Sequence, residues 1–220
     1  LVLASCKTAK KMYEKGNYDE AVELAAKKLQ KDPDDPKFRD IILSSYRFAR
    51  NDHESRISEY NFSSNELKWE WIYNEYVSLQ KMYDAIINSP TSFRLVSPNS
   101  YQSALDSCRQ LGAADYYRLG LEYLAYTGRE NAKKAYNYFK KASQFVDNYS
   151  DAKRKMTEAY DMAIVNVIIN PVQDNSYFFN TGWGNRGYNY SNEYFQQALV
   201  RELGGSRNNR YPAKFYTDWD

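Results

Sequence analysis

The chain has 220 residues, with 30 Lys and Arg against 28 Asp and Glu, so its formal net charge is only +2. This balance is not typical of a nucleic-acid-binding protein, which carries a marked basic excess. Mean hydropathy is low at −0.80, but aromatic residues reach 16%, and 22 of them are Tyr. So many rings argue against a disordered chain. No run approaches the ~18 consecutive apolar residues of a membrane-spanning helix.

The first six residues, 1–6, are apolar or small and end in a cysteine. Leu3-Ala4-Ser5 before Cys6 resembles the lipobox that ends the signal peptide of a bacterial lipoprotein. The resemblance implies that Cys6 carries a diacylglycerol. A complete signal peptide also needs a charged start and a longer apolar stretch, which we expect to lie upstream. Alternatively, these residues begin a helix in which Cys6 is buried.

Residues 7–50 contain three stretches in which apolar residues recur at helical spacing. Gly16 separates the first stretch from the second, Asp32-Pro33 ends the second, and the third begins at Pro36. The apolar positions are Ala9, Met12 and Tyr13 in the first stretch, Ala21, Leu24, Ala25 and Leu29 in the second, and Ile42, Leu43 and Tyr46 in the third.

This pattern resembles the tetratricopeptide repeat (TPR), a helix-turn-helix unit of about 34 residues. The matching residues are Gly16, Tyr18, Ala21, Leu29 and Pro33. The resemblance implies that Gly16 and Ala21 lie where paired helices approach closely. This chain has Ala9 and Met12 where the family usually has Gly and an aromatic residue, so the repeat is degenerate.

Residues 51–112 are predicted to form an insertion built around a long helix. Ser63 and Glu66 have the spacing of a capping box ahead of this helix, and Pro90 follows its end. The short segment Phe93–Ser97 is predicted to be β-like. A further amphipathic helix then completes the insertion, and the apolar stripes of both helices are expected to pack in the core.

A second TPR-like match lies in residues 113–163. The residues that carry it are Leu119, Gly120, Tyr123, Gly128, Ala135, Phe139 and Ala142. The turn between the two helices is longer than the usual turn of the family. A further helix, Ala152–Ala163, either begins another repeat or caps this one.

The composition changes in residues 164–220, which are rich in aromatic residues and glycine. Ile164–Ile169 is β-branched and either finishes the preceding helix or begins a strand. A helix is predicted from about Ser191 to Leu203. We expect the segment to be the start of a C-terminal domain that continues beyond Asp220.

One group of rings in this segment has a possible binding role. Trp183, Tyr188 and Tyr190 lie among Gly and Asn and would suit a platform on which sugar rings or an extended peptide stack. The alternative is that these rings form the packed edge of the C-terminal domain.

No catalytic constellation is recognisable. His53 is the only histidine, and its polar neighbours predict a solvated surface residue. Cys108 has no second Cys or His near it in the sequence, so we expect a packed thiol and not a nucleophile. Metal-ligand spacings and a phosphate-binding glycine loop are also missing. We therefore expect no catalytic residue, no metal and no cofactor.

These patterns predict a mainly α fold: a TPR-like solenoid of helical hairpins, followed by an aromatic- and Gly-rich segment of mixed α/β structure. Solenoids of paired helices bind peptides or proteins on their concave face. By resemblance to the family, the ligand-binding candidates are Tyr13, Lys37, Asp40, Arg47 and Tyr117, and the stacking platform adds Trp183.

The predicted function is that of a membrane-anchored scaffold or adaptor in a bacterial cell envelope. Lys7 follows Cys6, which by analogy with lipoprotein sorting favours the outer membrane, and we expect the chain to face the periplasm. The expected partners are another protein or a peptide, and the membrane through a lipid on Cys6, but no nucleic acid. The alternative is a protein that binds glycans or envelope polymers through its aromatic C-terminal segment.

Overall fold

A computed structural model describes residues 9–170, 192–205 and 213–217. Most of these residues are helical, which confirms the prediction of a mainly α protein. The chain forms two compact units, Leu1–Asp115 and Tyr116–Asp220. The boundary between them falls inside a helix, Gln102–Ala125.

The described part of the first unit is built from helices. They are α1 over residues 9–14, α2 (Tyr18–Lys31), α3 (Pro36–Asn61), α4 (Lys68–Ile87), α5 (Pro90–Val96) and α6 (Gln102–Ala125), whose last residues belong to the second unit. The predicted helix from Pro36 is thus present, and it continues through residue 61.

The start of α3 follows from local capping chemistry. The Asp35 Oδ1 atom accepts the backbone N–H groups of Lys37 and Phe38, at 3.0 and 3.4 Å. Pro36 occupies the first position, where its missing N–H has no helical partner to lose and its φ suits the helix. An aspartate followed by a proline therefore fixes where α3 begins.

Residues 90–96 form helix α5, so the prediction of β-like structure for Phe93–Ser97 is wrong. The Ser89 Oγ atom accepts the Ser92 backbone N–H at 3.3 Å, and Pro90 lies in the first turn. Serine followed by proline is a helix-start signal. This local signal prevails over the β propensity of the residues that follow it.

The start of α4 also differs from the prediction. The helix begins at Lys68 without a side-chain cap, so Ser63 is not its N-cap and the predicted capping box with Glu66 does not start it. The Ser63 Oγ atom accepts the Asn65 N–H at 3.1 Å, and Asn65 Oδ1 accepts the Leu67 N–H at 2.8 Å. These bonds form successive side-chain turns ahead of the helix.

The core of the first unit lies between α2, α3 and α4. Its buried members include Val22, Ala25, Ala26 and Leu29 of α2, Phe38, Ile42 and Ala49 of α3, and Ile72, Leu79, Met82 and Ile86 of α4. Leu43 was grouped with Ile42 and Tyr46 as an apolar position of this helix, but unlike them it is exposed, at 41%. It lies about 100° around the helix from Ile42, which points Leu43 away from the core.

The second unit combines helices with a parallel pair of strands in its described residues. Its elements are the end of α6, α7 (Arg129–Phe145), α8 (Ala152–Ala163), β1 (Val165–Ile169), α9 (Asn192–Gly205) and β2 (Ala213–Thr217). In the sheet, Val165 lies opposite Ala213 and Ile169 opposite Thr217. Of the two alternatives for residues 164–169, the structure shows the strand, and α9 confirms the helix predicted from about Ser191 to Leu203.

Helices α6 and α7 approach each other closely at Gly120. A Cβ atom at this position would lie 2.6 Å from the Phe139 Cε1 atom, which is closer than real side chains come. Phe139, Ala135 and Ala142 of α7 are fully buried, and Ala159 of α8 packs in the same cluster. The small residues of the second predicted repeat thus lie at a tight helix–helix contact.

Candidate binding surface

The candidate surface begins at the turn between α1 and α2. Gly16 has a φ of +78°, a conformation that favours glycine. A Cβ added to Gly16 would meet no atom within 4 Å, so the expectation that Gly16 lies at a close approach of paired helices is wrong, and its role is in the turn. Its N–H donates to the Tyr13 carbonyl at 3.0 Å, and the Asn17 N–H donates to the Met12 carbonyl at 2.9 Å. The turn holds the rings of Tyr13 and Tyr18 edge to face, with their centroids 5.5 Å apart.

Phe48 of α3 joins these two rings. Its centroid lies 5.2 Å from that of Tyr18 at an interplanar angle of 23°, and 6.4 Å from that of Tyr13. The Arg47 guanidinium carbon lies 5.2 Å from the Phe48 centroid, within the range of a cation–π contact. Phe48 is nevertheless 40% exposed. We call Tyr13, Tyr18, Arg47 and Phe48 the ring surface, an accessible apolar patch beside a cation.

Three of the predicted ligand-binding residues share the exposed side of α3. Lys37, Asp40 and Arg47 follow at intervals of three and seven residues, which places them along one face, and all three are exposed. Along the helix axis, Asp40 lies about 10 Å and Lys37 about 15 Å from Arg47. The structure therefore unites Tyr13 with Arg47 and places Lys37 and Asp40 further along the same face.

Sequence reasoning missed Tyr18 and Phe48 as members of this surface. Tyr18 was recognised only as a repeat match, and Phe48 was not singled out. An available signal was the exposed side of α3, because Phe48 falls on the same helical face as Lys37 and Asp40. The contact between Tyr18 of α2 and Phe48 of α3, by contrast, joins residues thirty positions apart, so no local sequence pattern predicts it.

Tyr117, the remaining candidate in the described residues, belongs to the second unit and packs within it. Its ring centroid lies 5.6 Å from that of Phe139 and 5.7 Å from that of Tyr149. Its hydroxyl donates to the Asp151 carboxylate. This hydrogen bond raises the pKa of Tyr117 and lowers the pKa of Asp151. The Tyr117 hydroxyl is thus already engaged inside its own unit.

Two predicted site residues, Cys6 and Trp183, lie outside the described residues. Lipidation of Cys6 and stacking of a sugar ring on Trp183 stay predictions.

His53 is the main polar feature that the sequence did not reveal. It is 4% exposed, so the prediction of a solvated surface residue is wrong. Its Nδ1 atom lies 2.5 Å from Glu75 Oε2, and its Nε2 atom lies 3.0 Å from both carboxylate oxygens of Asp19. Asp19, His53 and Glu75 come from α2, α3 and α4 respectively, so the imidazole ties together the three core helices.

This arrangement favours the charged imidazolium. Burial by itself lowers the pKa of His53, but the hydrogen bonds to Asp19 and Glu75 outweigh it, and the pKa is raised above its ordinary value. Both ring nitrogens must carry a proton to donate to both carboxylates. Glu75 also accepts a second cationic partner, because the Arg56 Nε atom lies 3.3 Å from Glu75 Oε2.

Among the described residues, the titratable groups around His53 and Cys108 do not form a recognisable catalytic site. The Asp19 and Glu75 carboxylates lie at opposite nitrogens of His53, where they hold the ring and do not converge on a substrate. Cys108 is 2% exposed, and burial raises the pKa of its thiol to about 11, which keeps it protonated. In the described ranges, we find no group of three or more His, Cys, Asp or Glu placed to hold a metal ion.

Within the described part of the chain, no helix combines the length and the apolar character needed to cross a bilayer. Comparison of the chain with protein-family models, with curated proteins and with solved structures found no match.

Proposed function

We propose that this protein is a scaffold that binds a segment of another protein on the ring surface. In this proposal a lipid on Cys6 anchors it at the outer membrane of a bacterial cell envelope, and the chain faces the periplasm. Residues 7–50 and 113–163 act as TPR-like hairpins that present exposed helix faces to partners.

Two sets of contacts support the TPR-like part of the proposal. In the first unit, Gly16 makes the turn that leads into α2, and Ala21 and Leu29 of α2 are buried. In the second unit, Gly120 lies against Phe139 at the contact of α6 with α7. Ala21 and Gly120 are small residues at positions where the repeat resemblance implies a close approach of paired helices, and Gly16 agrees with the predicted break between the first two helical stretches.

The observation that carries the binding proposal is the exposure of Phe48 among its neighbours. A single exposed apolar side chain is ordinary on a protein surface. Here, however, two tyrosine rings from the α1–α2 turn and a guanidinium converge on one phenylalanine that keeps 40% of its surface accessible. Rigid aromatic side chains and arginine are the residues that dominate the energetics of protein interfaces.

The proposal is tested by co-purification. Tagged full-length protein is isolated from detergent-solubilised native membranes, and its partners are identified by mass spectrometry. We expect a stoichiometric partner with the wild type and its loss with Phe48→Ala, because truncating the central ring removes the apolar contact area.

A control comes from the C-terminal end of the same helix. Phe62 follows α3 and is 90% exposed, so Phe62→Ala removes an exposed phenylalanine outside the ring surface. The partner is expected to be retained by this variant. A wild-type protein that purifies alone, or a partner retained by Phe48→Ala, contradicts the proposal. Thermal melting of both variants checks that the fold is intact.

A further inference from the structure

Arg47 differs from the other arginines of α3 in its electrostatic partners. The others each lie within ion-pair distance of a carboxylate: Arg39 of Asp34 at 2.6 Å, Arg50 of Glu54 at 3.7 Å and Arg56 of Asp52 at 2.8 Å. Arg47 forms no ion pair with any described residue, and its contact is with the Phe48 ring. An exposed cation is thus positioned on an aromatic side chain, without a carboxylate at ion-pair distance among the described residues.

The chemistry of this pair defines a complementary ligand. A guanidinium over a ring keeps its planar set of N–H donors for a carboxylate, which it binds through two parallel hydrogen bonds. The rings of Tyr13, Tyr18 and Phe48 beside it offer apolar surface. A ligand that uses both features places a carboxylate next to an aromatic or large aliphatic side chain.

The charges further along α3 favour a single carboxylate over a phosphate group. Asp40 lies on the same face about 10 Å from Arg47, and it forms no ion pair with any described residue. It disfavours the dense negative charge of a phosphate, and Lys37 beyond it restores a positive charge. A partner segment with one acidic residue opposite Arg47 therefore matches this face best.

We infer that the ring surface selects a segment of another protein in which Asp or Glu lies beside an aromatic or large aliphatic residue. The inference depends on the proposed function, because it names the chemistry of the partner for that same surface.

The test is a selection of random peptides displayed on phage against the full chain. Enriched peptides are then synthesised with blocked termini, and their affinities are measured by fluorescence anisotropy. We expect an acidic residue within two positions of an aromatic or large aliphatic one in the enriched sequences. Arg47→Gln should weaken their binding about tenfold or more, since it removes charge-assisted hydrogen bonds.

Further variants make the result specific. Arg47→Lys keeps the charge but not the planar donors, so an intermediate loss is expected. Arg94→Gln is the matched control, because Arg94 is an exposed arginine of α5, outside the ring surface, and this change should leave affinity unaltered. Increasing salt should weaken the wild type more than Arg47→Gln.

The outcomes separate this inference from the proposed function. The inference is overturned, and the binding surface still stands, if the peptides require Phe48 but meet one of three conditions. They show no acidic preference, they prefer a phosphorylated form, or their binding is unchanged by Arg47→Gln. If no peptide is enriched, or if binding survives Phe48→Ala, the surface itself is wrong. A wild type that dimerises in sedimentation velocity and becomes monomeric on Arg47→Gln makes a second copy of the chain the occupant, which also overturns the inference.

Discussion

Gly120 shows how one residue sets a helix contact in the second unit. The position lies inside α6, where glycine is less favourable than alanine by roughly 1 kcal/mol. Glycine fits here because it has no side chain. A Cβ at this position would come within 2.6, 2.7 and 2.9 Å of three atoms of the Phe139 ring. That ring is fully buried and has no space into which to retreat.

Gly120→Ala is expected to destabilise the second unit despite its better helix propensity. Overpacking costs about 1–3 kcal/mol and exceeds the propensity gain, so the net loss should be up to about 2 kcal/mol. The measurement is thermal unfolding followed by circular dichroism. Combining it with Phe139→Leu should recover part of the loss, and Phe139→Leu alone provides the reference for a double-mutant cycle. A variant more stable than the wild type would show that the two helices do not meet at Gly120.

At the scale of the elements, the hydrogen bonds of His53 connect the three core helices α2, α3 and α4. Asp19 stands in the first turn of α2 and Glu75 in the middle of α4, and both accept hydrogen bonds from His53 on α3. Asp19 also follows Tyr18, and His53 lies little more than one turn beyond Phe48. The imidazole therefore secures the same part of α2 and α3 that carries the ring surface.

This contact predicts a pH dependence of stability. The folded pKa of His53 is raised, so the stabilisation is fully present below the unfolded value of about 6.5 and is lost as pH rises through the folded pKa. We expect His53→Gln to cost about 1–3 kcal/mol at pH 6, through lost charge-assisted hydrogen bonds, and less at pH 8. The free energy of unfolding at each pH is measured by urea unfolding followed by tryptophan fluorescence, since Trp69 and Trp71 lie in α4.

The charges that surround His53 must be held constant in this comparison. Asp19 and Glu75 face the ring from α2 and α4, and Arg56 and Asp52 lie beside it on α3. Both proteins keep these groups, so the difference in unfolding free energy between wild type and His53→Gln isolates the imidazole. A difference in unfolding free energy that is the same at pH 6 and pH 8 would rule out the charged contact.

At the scale of the whole molecule, local sequence signals predicted most of the helices but not the side-chain contacts between them. The starts of α2 and α3 follow from Gly16 and Pro36, which act on the backbone beside them. The burial of His53 had a signal in its own helix, where Ala49, His53 and Ile57 recur every four residues on the buried side. Its polar sequence neighbours concealed this pattern, because they point to the opposite face of the helix.

Contacts between distant segments could not be predicted in the same way. Asp19 and Glu75 lie 34 and 22 residues from His53, and neither distance leaves a periodic trace. The sequence of residues 165–169 left both a strand and the end of a helix open. The strand depends on pairing with residues 213–217, which lie far along the chain. A parallel pair needs a long connection, here one that contains α9, so pairing is decided by tertiary packing and not by a local turn.

Anchoring of the whole molecule gives the last prediction, which tests the lipid on Cys6. Cells that express the full-length gene product are grown with a labelled fatty acid, and the purified protein is analysed for label. A diacylglycerol joined to Cys6 through a thioether should resist neutral hydroxylamine, which cleaves thioesters. Two or more acyl chains also bind a membrane stably, so the protein should stay in the membrane fraction at high salt.

The two cysteines of the chain supply a matched pair of variants. Cys6→Ala should lose the label and leave the membrane fraction. Cys108→Ala should keep both, because Cys108 is buried in the first unit and its thiol hydrogen-bonds to the Trp69 carbonyl at 3.9 Å. Equal labelling of Cys6→Ala and wild type would remove the anchor from the proposed function. The ring surface would then have to meet its partner without a membrane to concentrate the two, which makes the affinity of the surface the deciding quantity.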